Sequence, residues 1–227
     1  MATPLRAPIS GLYALTPDLD DSALLASRVA AALAGGASAI QYRNKAASPQ
    51  LRREQARALR SLCGERATLF IVNDDVELAL AVGADGVHLG RDDASIATAR
   101  RRLGSGALIG VSCYESLDRA ETAVRSGADY IAFGSFFDST VKPAAVRAPL
   151  SILTAAKSRW RVPVVAIGGI DAGNAVRVID AGADAVAVIS AVFAARDVES
   201  AARDIAVMFR RHGPDANSRQ MRDGHRS

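Results

Sequence analysis

The sequence lacks several features that mark whole classes of protein. Among its 227 residues there are two cysteines, Cys63 and Cys113, which are too few for a disulfide scaffold and have no CxxC spacing for a metal site. No apolar run approaches the 18 or so residues that a transmembrane helix needs. Aromatic residues make up 5% of the chain, too few to favour a stacking platform for single-stranded nucleic acid. We therefore expect neither a membrane partner nor a nucleic-acid partner.

An excess of positive charge is present, but it is not spread over the chain. The net charge is +4 and the pI is about 9.4. Residues 210–227 contain five arginines and two aspartates, so the rest of the chain is nearly neutral. The sequence predicts a flexible N-terminus over residues 1–10, a catalytic domain over 11–209 and a disordered basic tail over 210–227. The first ten residues lack the apolar core of a signal peptide, so we expect a cytoplasmic protein.

A glycine-alanine phrase recurs at the ends of alanine-rich helical patterns. It begins at Gly36, Gly83, Gly127 and Gly182, and each copy leads into an apolar strand. Eight short apolar runs are predicted strands, at 12–15, 39–42, 69–72, 86–89, 108–111, 130–133, 164–167 and 185–189. Helical patterns alternate with them, including 22–34, 51–62, 116–125 and 174–181. This order predicts an α/β fold, a single (β/α)8 TIM barrel. The alternative is an open doubly wound sheet, but no GxGxxG motif follows the first strand.

Gln41, Arg43 and Lys45 occupy alternate positions at the end of the second predicted strand. Side chains on a strand alternate between faces, so these three are predicted to share one face. Two cations and an amide there favour an anionic ligand. The alternative is a strand end with solvated charges.

Polar residues follow other predicted strands, at the end where TIM barrels carry their chemistry. Asp74 and Asp93 follow neighbouring strands and are predicted to bind Mg²⁺, together with substrate phosphates. The alternative for each is a helix cap. Lys142, in the loop after the sixth strand, would join Arg43 and Lys45 in neutralising a polyphosphate.

A second phosphate site is predicted after strands seven and eight. Gly168, Gly169, Ile189 and Ser190 lie where backbone N–H groups of TIM barrels often bind phosphate, although a double glycine also serves a plain tight turn. His88 lies within the fourth strand, and we interpret it as a core or wall residue.

The order of these motifs resembles the thiamine-phosphate synthase family. The likeness runs from about Gly11 to Phe209 and rests on QYRNK at 41–45, VND at 72–74, GVHLGRDD at 86–93, GVS at 110–112, GSFFDSTVK at 134–142, AIGGI at 166–170 and AVIS at 187–190. The resemblance implies a Mg²⁺-dependent transferase that joins hydroxymethylpyrimidine diphosphate to a thiazole phosphate and releases pyrophosphate. A homo-oligomer is compatible with it.

The resemblance also implies roles for individual residues. It assigns the pyrimidine diphosphate to Gln41, Tyr42, Arg43, Asn44, Lys45, Asn73, Ser112 and Lys142, of which Arg43, Ser112 and Lys142 are the catalytic candidates. It assigns the thiazole phosphate to Ser139, Thr140, Val141, Gly169, Ile189 and Ser190, and Mg²⁺ to Asp74 and Asp93.

Two positions depart from the family pattern. Val141 stands where a threonine is usual, and Arg91 stands where glutamine is common. One alternative function is a thiazole tautomerase-like relative, which has a histidine just after the fifth strand's serine, where this chain has Cys113 and Tyr114. Another is a non-catalytic barrel that binds thiamine precursors, which would be expected to lack the metal and diphosphate ligands.

Overall fold

A computed structural model describes residues 8–138 and 146–212 of the chain. It contains eight strands: β1 (Gly11–Leu15), β2 (Ala39–Tyr42), β3 (Leu69–Asn73), β4 (Gly86–Leu89), β5 (Leu108–Tyr114), β6 (Tyr130–Phe133), β7 (Val164–Ile167) and β8 (Ala185–Val188). Each strand pairs in parallel with the next along the chain, and β8 pairs with β1. The predicted TIM barrel is therefore confirmed. The largest difference from the predicted strands is at β5, which continues to Tyr114 across an irregularity in its pairing with β6.

The helices of the described chain cover the outside of this barrel. They are α1 (Ser22–Ala34), α2 (Pro49–Glu65), α3 (Val76–Val82), α4 (Ile96–Leu103), α5 (Leu117–Arg125), α6 (Ser151–Arg159), α7 (Ala175–Asp180), α8 (Ser190–Phe193) and α9 (Val198–His212). Several begin at a side chain that accepts a backbone N–H, as Asp21 does for α1 and Ser48 for α2, which satisfies an otherwise unpaired amide of the first turn. None of the helices in these ranges is long and apolar enough to cross a membrane.

Strand alternation divides the core into two layers. Leu12, Ile40 and Val72 face the helices in the larger layer. Tyr13, Ala39, Ile71, Tyr130 and Val165 are among the residues that fill the barrel interior, so the interior is packed with side chains and is not a pore.

Two features of the described chain lie close to the predicted domain boundaries. Ile9, in the stretch predicted as a flexible N-terminus, is 1% exposed and packs in the barrel interior. At the other end, α9 continues to His212, past the predicted boundary at Phe209. Arg210 and Arg211 belong to its last turn, where cations interact favourably with the helix dipole. Two arginines that the sequence predicts to be part of the basic tail therefore lie in the last turn of α9.

The recurring glycine-alanine phrase has a structural role at the amino end of the barrel. In three copies the next residue is an aspartate that accepts the backbone N–H of a neighbouring strand: Asp85 from Phe70 at 2.8 Å, Asp129 from Ile109 at 2.7 Å and Asp184 from Val164 at 2.7 Å. The same three carboxylates pair with Arg60 of α2, Arg100 of α4 and Lys157 of α6. In the first copy Ser38 takes this position and donates to the carbonyl of Leu12 on β1 at 2.9 Å. We call Asp85, Asp129, Asp184 and Ser38, together with these hydrogen bonds and ion pairs, the amino-end staple.

Candidate active site

The carboxyl ends of β2 and β3 form one wall of a cleft at the opposite end of the barrel. It is lined by Tyr42, Arg43, Asn44, Lys45, Arg52, Val72, Asn73, Asp74, Asp75 and Leu78. Five of the residues assigned to the pyrimidine diphosphate, and one assigned to the metal, therefore lie together. Three of its lining side chains, Arg43, Lys45 and Arg52, are cationic, which suits an anionic ligand.

Of Gln41, Arg43 and Lys45, only Gln41 lies within a strand, so the three side chains do not share one strand face as predicted. β2 ends at Tyr42, so Arg43 and Lys45 lie in the following loop. Gln41 is 2% exposed and points into the barrel, where its Nε2 donates to the hydroxyl of Tyr13 at 2.6 Å. The Gln41 carbonyl oxygen Oε1 is buried and has no hydrogen-bond partner within the described ranges.

The Tyr42 and Asn44 side chains face the helices. Tyr42 donates to Oε1 of Gln55 at 2.9 Å, and Nδ2 of Asn44 donates to the Leu19 carbonyl at 3.1 Å and to the same Gln55 oxygen at 3.2 Å. Tyr42 thus links β2 to α2, and Asn44 joins α2 to the loop after β1. Both residues also line the cleft, and their assignment to the substrate stays a prediction.

The two cations of the β2 loop already have carboxylate partners. The Arg43 guanidinium donates to both oxygens of Asp18 at 3.0 Å, and Asp18 also accepts the backbone N–H of Lys45 at 2.8 Å. The Lys45 ammonium lies 3.4 Å from Oδ2 of Asp74. Both pairs are partly exposed, so neither holds its cation strongly. An incoming polyphosphate can compete for both.

Asp74 and Asp93 meet across the mouth, between the loops after β3 and β4. Burial raises the pKa of Asp74, the nearby Asp93 carboxyl raises it further, and Lys45 opposes the rise. The cap interpretation belongs to other residues, because Asp75 accepts from Leu78 at the start of α3 and Ser95 accepts from Thr98 at the start of α4. Asp93 accepts the N–H of Gly90 at 2.6 Å through Oδ2, and its carboxyl group also lies within hydrogen-bond reach of the Asp74 carboxyl.

These two carboxylates fit a hard cation. Two crowded carboxyl groups are relieved by a divalent ion, and oxygen ligands suit Mg²⁺. In the described ranges no cluster of three or more histidine, cysteine, aspartate or glutamate side chains could hold a metal alone. A cation here would therefore take its remaining ligands from substrate oxygens and water, as Mg²⁺ commonly does.

A buried row of polar side chains crosses the barrel beneath the mouth, and sequence reasoning missed it. The hydroxyls of Tyr13 and Tyr130 lie 3.0 Å apart, that of Tyr130 lies 3.1 Å from Nδ1 of His88, and Nε2 of His88 lies 2.9 Å from Oγ of Ser112. Burial lowers the pKa of His88 to about 4. The imidazole is therefore neutral near pH 7. His88 lies in the wall, as predicted, but it also contacts a candidate catalytic residue.

The glycines after β7 are required by backbone shape. Gly168 and Gly169 have φ of 101° and 65°, values that favour glycine. A Cβ on Gly169 would lie 2.2 Å from the carbonyl oxygen of Asp138, so the β7 and β6 loops are in close contact. Ser190 is exposed and begins α8, directly after Ile189. Ser139, Thr140, Val141 and Lys142 lie outside the described residues.

Cys113 and Tyr114 offer no replacement for a catalytic histidine. Cys113 is buried, and burial raises the pKa of its thiol to about 12. The Tyr114 ring lies beneath the guanidinium groups of Arg91 and Arg119, 4.9 and 5.5 Å from its centroid. Arg91, which departs from the family pattern, thus has a stacking partner.

A closed (β/α)8 barrel with cations, paired carboxylates and glycine turns on its carboxyl-end rim defines a TIM-barrel enzyme for phosphorylated substrates. The model of the family described as "Thiamine monophosphate synthase" matches residues 12–192. The chain belongs to this family.

Named relatives agree with this assignment. The chain is 54% identical over 202 residues to a thiamine-phosphate synthase of Thioalkalivibrio sulfidiphilus, covering 88% of this chain and 96% of the relative. It is 55% identical over 201 residues to one from Chromobacterium violaceum, with 88% and 97% covered. A solved structure, thiamine phosphate pyrophosphorylase from Pyrococcus furiosus, superimposes with a TM-score of 0.80 at 39% identity, covering 88% of this chain and 95% of that one.

Proposed function

We infer that the protein transfers a pyrimidinylmethyl group from hydroxymethylpyrimidine diphosphate to the ring nitrogen of a thiazole phosphate, giving thiamine phosphate and pyrophosphate. The family membership and the relatives support this reaction. The single structural observation that carries the inference is the meeting of Arg43, Lys45, Asp74 and Asp93 at one end of a barrel. That arrangement suits a diphosphate bound through cations and a divalent ion.

The charges of the cleft support an assignment of the diphosphate to its β2 and β3 side. Arg43 and Lys45 are both partly exposed and both paired with carboxylates. Replacing Asp18 and Asp74 by phosphate oxygens as their partners would keep each cation paired, with charge-assisted hydrogen bonds to phosphate. Asn73 lines the same cleft, and we assign its amide to this substrate as well. Lys142 remains assigned to the diphosphate by resemblance.

The bond changes require charge stabilisation more than proton transfer. The carbon–oxygen bond to the diphosphate breaks, and pyrophosphate leaves with both electrons. The lone pair of the thiazole nitrogen then forms the new carbon–nitrogen bond. Negative charge builds on the departing oxygen, and Arg43 and Lys45 would stabilise it. No residue has to act as a strong base, which agrees with the lowered pKa of His88, a weak base, and with the raised pKa of the buried Cys113 thiol.

We propose that Asp74 and Asp93 hold a Mg²⁺ ion. Bound there, the ion would supply electrostatic stabilisation of the leaving diphosphate. Their carboxylates would orient it, and the Lys45 ammonium beside Asp74 would face the same phosphate. The support is the crowded pair of carboxyl groups, because a divalent cation would relieve the repulsion that raises the pKa of Asp74 despite Lys45.

The thiazole phosphate is proposed to bind at the other side of the mouth. Gly169, Ile189 and Ser190 lie after β7 and β8, where backbone N–H groups of barrels often bind phosphate. The Asn174 amide donates to the Gly169 carbonyl at 2.9 Å, which holds this turn in place. Ser139, Thr140 and Val141 are assigned to the same substrate by resemblance.

A cytoplasmic location is proposed together with this function. Cys63 and Cys113 are both free thiols, as is usual in a reducing compartment. A homo-oligomer stays a prediction.

The test is direct. Purified protein is incubated with both precursors and Mg²⁺, and thiamine phosphate is measured by fluorescence after oxidation. We expect product only when both precursors are present, and loss of product in excess chelator with recovery on adding Mg²⁺. Absence of product under all conditions would refute the activity, whereas full activity in chelator would refute only the metal proposal.

A further inference from the structure

Five buried or half-buried polar side chains form a continuous row across the barrel. In order they are Gln41 of β2, Tyr13 of β1, Tyr130 of β6, His88 of β4 and Ser112 of β5, joined by contacts of 2.6, 3.0, 3.1 and 2.9 Å. The first and the last are assigned to the pyrimidine diphosphate. The middle three have no role in the proposed chemistry.

Counting the donors and acceptors of each side chain fixes which group donates to which along the row. The Gln41 amide nitrogen can only donate, so the Tyr13 oxygen accepts from it. The Tyr13 proton then needs an acceptor, and within the described part of the chain its remaining neighbour is Tyr130. Sending that proton elsewhere would leave a fully buried hydroxyl without a partner, which is costly.

The direction continues to the far side of the barrel. Because the Tyr130 oxygen accepts from Tyr13, its own proton goes to Nδ1 of His88. A neutral imidazole that accepts at Nδ1 carries its proton at Nε2. That proton is donated to Oγ of Ser112. The Ser112 hydroxyl proton is then free to be donated elsewhere.

We propose that Tyr13, Tyr130 and His88 are positioning residues, which form one directed hydrogen-bond chain that fixes what the substrate meets at both ends. At one end Gln41 presents its carbonyl oxygen as an acceptor. At the other end Ser112 presents its hydroxyl as a donor. The buried Oε1 of Gln41, which has no hydrogen-bond partner among residues 8–138 and 146–212, is an independent observation that a ligand donor belongs there.

The chemistry of the two ends matches one kind of ligand edge. A heteroaromatic ring with an exocyclic amino group beside a ring nitrogen offers a donor next to an acceptor. The proposal deepens the proposed function and rests on it, because it takes Gln41 and Ser112 to contact the pyrimidine. The hydrogen-bond direction itself does not depend on the substrate.

The direction can be tested without substrate. The chain has three histidines, so ¹⁵N-histidine labelling gives few imidazole signals, and the His88→Gln variant identifies those of His88. At pH 7.5 we expect the Nε2–H tautomer in the wild type. An Nδ1–H tautomer, or rapid exchange between the two, would overturn the directed chain.

The positioning role needs a kinetic test. Tyr130→Phe and Tyr13→Phe each keep the aromatic ring and remove one link. We expect KM for the pyrimidine diphosphate to rise about tenfold in both, the size expected for one buried hydrogen bond, with KM for the thiazole phosphate within twofold of wild type.

The matched control is Ser38→Ala, which removes a hydrogen bond at the opposite end of the barrel. It should leave both KM values unchanged. Equal rises for the two substrates in Tyr130→Phe and Tyr13→Phe, or no rise at all, would overturn the positioning role. Wild-type protein that makes no thiamine phosphate would instead refute the proposed function, and the tautomer measurement would stand apart from that failure.

Discussion

At the scale of single residues, the site depends on which partner each acidic or hydroxyl side chain has. Asp75 and Ser95 cap helices, and Asp18 pairs with Arg43. Asp74 and Asp93 keep oxygens that face each other. The sequence alone could not separate these roles, because a cap and a metal ligand occur at the same kind of turn.

Asp93→Asn tests the metal proposal with little disturbance of the loop. The asparagine carbonyl can still accept the Gly90 N–H, but the substitution removes one of the two negative charges that would bind the ion. We expect the Mg²⁺ concentration for half-maximal activity to rise at least tenfold, because fewer charged ligands bind a hard cation more weakly.

Its control is Asp92→Asn, an exposed neighbour in the same loop. That variant should keep the wild-type Mg²⁺ dependence, measured by titrating Mg²⁺ into the thiamine phosphate assay. Identical dependence in Asp93→Asn and wild type would remove Asp93 from the metal site.

Gly169→Ala tests the proposed binding site for the thiazole phosphate. The structure gives two reasons for damage: a φ of 65° and a contact of 2.2 Å between the added Cβ and the Asp138 carbonyl oxygen. Gly83→Ala is the matched control, since Gly83 has φ of 62° with nothing within 4 Å. We expect Gly83→Ala to cost about 1 kcal/mol of stability through backbone strain and leave KM unchanged.

We expect Gly169→Ala to raise KM for the thiazole phosphate severalfold or more, because the turn must shift away from the β6 loop. Thermal unfolding and steady-state titration of each substrate give both quantities. If Gly169→Ala lost only the stability that Gly83→Ala loses, with kinetics intact, the phosphate would not bind at this turn.

Val141→Thr should leave the thiazole phosphate KM unchanged or lower it.

At the scale of elements, the sequence pattern predicted where strands lie better than what their flanking residues do. Apolar runs between glycine turns placed all eight strands, because a buried parallel strand needs little besides length and apolar side chains. The aspartates of the amino-end staple were seen only as part of a repeat. Their partners are the N–H groups of strands 15 to 20 residues away, which no local pattern reveals.

The staple predicts a change in stability without a change in catalysis. Asp184→Ala removes the acceptor of the Val164 N–H and the partner of Lys157. Hydrogen bonds to a charged group contribute about 1.5–3 kcal/mol, so we expect a loss of that size in urea unfolding. Both KM values should stay at wild-type levels, since the staple lies at the end opposite the cleft. A loss of unfolding free energy below about 0.5 kcal/mol would show that the amino-end staple does not stabilise the barrel.

At the scale of the whole molecule, the barrel is predictable because its two layers follow from strand alternation. The hydrogen-bonded row inside it is not, since Tyr13, His88, Ser112 and Tyr130 come from four strands and become neighbours only when the barrel closes. Their polar atoms satisfy one another in a space that is otherwise apolar. Closing the barrel thus gives the buried His88 ring its two hydrogen-bond partners. The stability of the whole fold therefore depends on side chains that also lie at the candidate site.

That link predicts how stability depends on pH. Burial lowers the pKa of His88 from 6.5 to about 4 in the folded protein. Its contribution is fully present above pH 6.5 and is lost as the pH falls towards 4, because the unfolded chain then binds a proton that the folded protein does not. The difference corresponds to about 3 kcal/mol. Urea unfolding between pH 7 and 4 should show a fall larger by about this amount in the wild type than in His88→Gln, whose side chain does not titrate. Parallel pH profiles in the two proteins would mean that His88 has the same pKa in the folded and the unfolded protein, and so that burial does not lower it.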